Sequence, residues 1–169
     1  MSVNPSSSDP SRWRPRIVGL RANALAAIVM LILEYALGIW MNLDGRVPDA
    51  NHGTNLWGAF IGAITRGPVA LTLHALLGTL LVVTAIGLAV RSIRARRSLW
   101  VALAGTGLLA VVIAWLAGDR FVSTGDNEPS LFMALTTAVA LLCYVLVMFS
   151  LTFSESWSGT GVNHRGAGA

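Results

Sequence analysis

Four long apolar stretches dominate the chain. Ala22–Met41, Val69–Val90, Leu99–Ala117 and Leu131–Phe149 run for 20, 22, 19 and 19 residues and hold one formal charge, Glu34. Each is close to the ~20 residues that cover ~30 Å of hydrocarbon at ~1.5 Å per residue. A buried helix of a soluble globule carries a polar stripe at helical period. Leu99–Ala117 has none, and its single hydroxyl is Thr106. The pattern predicts an all-α integral membrane protein, a four-transmembrane-helix bundle over residues 17–153, with spans at about 18–41, 69–90, 99–117 and 131–150. A cleaved signal peptide is the rival for the first span. Its apolar character continues to Met41, past the usual length of such a segment, and no small-x-small cleavage site followed by polar sequence appears.

The connecting segments differ in what they predict. Residues 1–16, rich in Ser, Pro and Arg, and 154–169, rich in Gly, Ser and Asn, are expected to be disordered cytoplasmic arms. The first outer loop, Asn42–Pro68, is too long for a tight turn. Its first half carries turn formers. Its second half, Asn55–Thr65, is apolar but too short to span, which predicts a short helix in the interface or tucked over the bundle mouth, capped by Asn55 or Thr54. Gly118–Ser130 is expected to be a polar, acidic outer loop. The eight-residue inner link Arg91–Ser98 forces an antiparallel hairpin. Small residues recur every fourth position at Ala102, Thr106, Ala110, Ala114 and Gly118, and again at Ser130, Ala134 and Ala138. These predict close-approach faces, for a tight helix pair or a homodimer seam.

Charge predicts the orientation. Of 169 residues 54% are hydrophobic and 12% charged, against about one quarter charged in a soluble domain. All twelve basic residues are Arg. Nine lie before the first apolar stretch, in the inner link and in the C-terminal tail; three, Arg46, Arg66 and Arg120, lie in the outer loops. The positive-inside rule then predicts a multi-pass plasma-membrane protein with both termini cytoplasmic. Trp40 and Trp115 near one predicted boundary and Trp100 near the other are expected to be interfacial anchors, and Trp13 to lie among inner headgroups. Lack of Lys and Gln points to a G+C-rich, bacterial genome. No aromatic-interleaved basic patch supports nucleic-acid binding. The one cysteine, Cys143, forms no internal disulfide and is expected to be apolar filler.

Candidate chemistry rests on two ionisable residues inside spans, Glu34 and His74, each costing about 2.5–3.5 kcal/mol at mid-membrane. Glu34 lies seven residues before Met41, ~10 Å below the outer end of the first span, and His74 five residues after Val69, ~8 Å below the outer end of the second. The depths match, and each has small residues on its face, Ala27 and Gly38 beside Glu34, Gly78 and Ala85 beside His74. The two are therefore expected to meet in the outer half of the bundle, with Thr136 as a third polar partner and the loop residues Asp49 and His52 closing over them. Such a pair serves either as a polar intramembrane site or as a clamp between helices.

Three sharper chemistries follow. Haem ligation by His74 is favoured by Gly78 beside it and opposed by the absence of a second intramembrane His, so His52 or a second subunit's His74 would have to serve. A metal held by His52, His74, Glu34 and Asp49 has suitable donors but no HxxxH or HExxH spacing. Proton or small-solute translocation by an oligomer has a carboxylate and an imidazole, but no ionisable residue continues a path through the inner half. No G-x-S-x-G, P-loop or dinucleotide fingerprint occurs, so an enzyme acting alone is not indicated. The function that best fits is a small polytopic accessory or subunit protein acting through helix–helix contacts with a protein partner or a second copy of itself in the bilayer.

Overall fold

The structure, a computed structural model, describes residues 14–44, 55–124 and 127–159. These form α1 (Arg14–Asp44), α2 (Leu56–Arg66), α3 (Val69–Ala95), α4 (Ser98–Thr124) and α5 (Asn127–Gly159), with no strand among the described residues. Four segments, Ile17–Met41, Val69–Ala95, Ser98–Thr124 and Glu128–Thr152, are long and apolar enough to cross a membrane. The chain is an all-α four-helix bundle of a small polytopic membrane protein.

The helices form an up-down ring in which α1 packs on α3, α3 on α4, α4 on α5, and α5 closes back on α1, while α2 rests on α3 and α4. The α4–α5 pair is the most extensive. The ring follows from stripes at alternating three- and four-residue spacing, which keep a side chain on one helix face. On α1 the buried stripe is Leu20, Ala24, Ala27, Leu31, Glu34 and Met41. On α3 it is Leu71, Leu81, Ala85, Leu88 and Ser92, and on α5 Ala140, Tyr144, Val147 and Leu151. The opposite faces expose Leu25, Val29 and Ile32 of α1 and Leu109 and Ile113 of α4, an outer surface suited to lipid.

Several sequence expectations change. The inner link shrinks from eight residues to Arg96 and Arg97, because α3 continues through Arg91–Ala95. Long Arg stems let a helix leave hydrocarbon without unwinding. Arg96 ends α3 in the left-handed region, φ 54°, and its N–H donates to Ile93 O at 3.0 Å. The expected outer loop Gly118–Ser130 is mostly helix, since α4 runs to Thr124 and α5 starts at Asn127. The expected tail from residue 154 begins inside α5, which extends to Gly159.

The small-residue ridge of α4 also turns. Ala102 and Thr106 are exposed, whereas Ala104, Gly107 and Ala110 are buried. A strict four-residue repeat drifts by about 40° per step around a helix, so it cannot hold one face for five steps. Ala138 of α5 is exposed for the same reason. Trp100 is not an interfacial anchor; it is buried among the bundle helices, with the Arg97 guanidinium 5.1 Å from its ring centroid. Trp40 is exposed. Trp13 lies outside the described residues.

Candidate functional site

At the end of the bundle covered by α2, all five helices line a cavity of about 240 Å³. Its construction begins with α2. The Asn55 carboxamide oxygen accepts from Gly58 N–H at 2.8 Å, capping the first turn. Ala59, Gly62 and Ala63 turn inward, while Trp57 and Ile61 face out. Small inward residues bring this helix close to α3, and the Thr72 hydroxyl of α3 donates to Ala63 O at 3.1 Å, binding the end of α2 to the start of α3. Phe60 reaches the cavity from α2 and meets the Trp115 ring of α4 at 5.8 Å between centroids, tilted by 52°.

Glu34 and His74 lie on this wall. Glu34 falls on the inward stripe of α1 and is 7% exposed. His74 sits one turn into α3, and its Nδ1 makes an ion-pair contact with Glu34 Oε2. Gly38 and Gly78 leave room for the pair: a Cβ at Gly78 would lie 3.5 Å from Glu34 Oε1, and one at Gly38 3.9 Å from His74 Cε1. Glu34 Oε1 is buried and has no hydrogen-bond partner among the described residues.

A second carboxylate, Asp119 of α4, also lines the cavity, and its Oδ1 is likewise buried without a hydrogen-bond partner. Trp115, one turn earlier, points its indole N–H at the Thr79 hydroxyl of α3, 3.4 Å away, and that hydroxyl in turn donates to Ala75 O at 2.8 Å. Trp115 is therefore a wall residue, not the interfacial anchor that its position near a span end suggests. Met41, Leu71, Val122 and Met133 complete a largely apolar lining. Tyr35 and Ile39 line the cavity and are about half exposed, which sets its mouth beside α1 at the bundle surface.

Thr136 does not join the pair. Its hydroxyl donates to Phe132 O of its own helix at 2.7 Å, and the cavity is lined by the next residue, Thr137. One residue is 100° of helix rotation, enough to move a hydroxyl from the bundle interior to its flank. Asp49 and His52 lie outside the described residues. Among the described residues no group of three or more His, Cys, Asp and Glu is close enough to hold a metal ion. Sequence reasoning missed Asp119, Trp115 and Phe60. Asp119 falls within the expected outer loop; its signal is the helical spacing Trp115–Gly118–Asp119, which becomes one face only if α4 continues.

The arrangement supplies a buried acceptor, a carboxylate–imidazole pair able to hold a proton between its members, and aromatic walls. Compared with known protein families, curated proteins and solved structures, the chain matches none.

Proposed function

We propose that this chain is a small accessory protein of a bacterial plasma membrane, with both termini cytoplasmic, whose working part is a one-sided receptor cavity for a small molecule in the outer half of the bilayer. The nine-to-three Arg asymmetry supports that orientation. The observation that carries the receptor reading is Glu34 Oε1, buried and without a partner among the described residues, against a largely apolar cavity. A buried acceptor left alone costs about 1–3 kcal/mol, more when charged, and a bound donor would relieve that cost. A protein partner or second copy would receive the signal of occupancy through the lipid-facing helix surfaces.

One-sidedness is supported by what lies beneath the cavity. Leu81 of its lining and Leu31 are buried at its inner end, followed by Ala27, Ala85 and Leu88. The next polar cluster is Asn23, which donates to Thr84 O at 3.2 Å, and Thr84, whose hydroxyl contacts Met30 Sδ at 3.7 Å. That apolar layer weakens the translocation reading. The haem reading keeps one observation in its favour. With Nδ1 of His74 turned to Glu34, the imidazole is oriented as carboxylate-supported metal ligands are, leaving Nε2 as the ligating atom.

The test is extraction of small molecules from the purified full chain. Denaturation should release one species at about one per chain from the wild type. Ala114→Phe, which fills the cavity from α4, should release none while keeping its helicity and elution volume. A wild type that releases nothing above detergent and lipid background overturns the reading. A released haem with a Soret band in the intact protein replaces it by the second.

A further inference from the structure

The charge and hydrogen-bonding character of the cavity narrows the ligand, an inference that rests on the receptor reading above. Among the described residues its wall carries the carboxyl groups of Glu34 and Asp119 and the imidazole of His74, and no Arg. Two carboxyl groups face one imidazole there, so acidic groups outnumber basic ones, and in a low-dielectric site a bound cation balances the excess.

The hydrogen-bond inventory agrees independently. Two carboxylate oxygens of cavity-lining residues are buried with no hydrogen-bond partner among the described residues, Glu34 Oε1 and Asp119 Oδ1. Glu34 is more than nine-tenths buried, and its Oε1 faces Gly78 on the cavity wall. An anion or a pure acceptor ligand would leave both oxygens worse off. A ligand with N–H donors would satisfy them. The walls supply the remaining preference. Tyr35, Phe60, Trp115 and Phe121 put four aromatic residues on one small cavity, and an ammonium over an indole face is attracted by the ring quadrupole. Met41 and Met133 add soft apolar surface. The mouth flanked by Tyr35 and Ile39 suits a molecule that arrives through lipid or its interface with an apolar body.

We infer that the cavity binds a small amphipathic monocation, a protonated amine carrying an aromatic or short alkyl body, with its ammonium drawn to the carboxyl groups of Glu34 and Asp119 on the wall and its body against Trp115 and Phe60. A protonated amine is preferred to a quaternary one because only the former donates hydrogen bonds to the two oxygens.

The experiment is equilibrium binding to the purified full chain in lipid nanodiscs, with phenethylammonium as probe. Its comparators are the N,N,N-trimethyl analogue, the neutral 2-phenylethanol and the anionic 3-phenylpropionate. The primary ammonium should bind at least about tenfold more tightly than each of the other three, one charge-assisted hydrogen bond corresponding to that factor or more. Asp119→Asn should remove the preference over 2-phenylethanol. Glu34→Gln should reduce it, and if that variant fails to fold, Asp119→Asn alone decides. Equal binding of the ammonium and the neutral alcohol overturns the cation assignment and leaves the receptor reading in place. Binding of none of the four also overturns the cation assignment, while the receptor reading stands or falls on the extraction above.

Discussion

The two ends of the bundle use the same helices and the same heptad-like stripes to opposite purposes. At the Arg-rich end, Leu20, Ala24, Leu88, Trp100, Ala104, Val147 and Leu151 close into a packed core. There the small residue Gly107 is filled by its neighbour: a Cβ at that position would collide with the ring of Tyr144, which is completely buried. At the α2 end, Gly38 and Gly78 are small without being filled, and the nearest atoms to a Cβ at either lie at ordinary contact distance. The comparison teaches that a glycine in a membrane helix has two meanings that sequence alone does not separate. One lets a large ring pass close to the backbone, the other leaves space beside polar groups.

That contrast can be broken by substitution. Gly107→Val should be the most damaging change, costing about 1–3 kcal/mol through overpacking against Tyr144, read as a lowered unfolding midpoint in detergent. A midpoint unchanged from wild type would show that the packed end is looser than its geometry states. Next comes the polar pair. A double-mutant cycle with Glu34→Ala and His74→Ala should return a coupling of about 0.6–2 kcal/mol, the range for polar contacts between membrane helices. Additive single effects would mean that the two side chains hold one another without net stabilisation. The smallest effect is expected at the open end. Gly78→Ala should stay within about 0.5 kcal/mol of wild type, since its methyl meets Glu34 Oε1 at 3.5 Å and the Trp115 ring at 3.8 Å. A loss equal to that of Gly107→Val would erase the distinction between the two ends.

The two ends also differ in how their polar groups are satisfied. Near the packed end Asn23 finds Thr84 O, and the buried Ser92 hydroxyl donates to Leu88 O of its own helix at 2.9 Å. At the cavity end two carboxylate oxygens have no such outlet. A buried donor such as a hydroxyl can turn back on the helix carbonyl four residues earlier, whereas a carboxylate, an acceptor only, finds no free N–H inside a helix. The Tyr144 hydroxyl, on a ring too long and rigid to turn back on its own helix, is also buried without a partner among the described residues, so what sets the cavity end apart is that its unmet groups are acidic.

How much was legible from sequence divides along the same physical line. Whatever depends on residue number along a helix was available from sequence. The four spans follow from apolar length, the Asn55-capped helix from a short apolar run after turn formers, and the common level of Glu34 and His74 from a rise of ~1.5 Å per residue. Whatever depends on rotation about the helix axis, or on where helical hydrogen bonding stops at the membrane surface, was decided by tertiary packing. Thr137 replaces Thr136 at the cavity by one residue of rotation, Ala102 and Thr106 drift off the inner face, and Asp119 enters the site because α4 outlasts its apolar stretch by seven residues, to Thr124. Lipid makes every helix apolar on all sides, so the polar stripe that reports azimuth in a soluble protein is missing here, and only the packing of one helix against the next selects the inward face.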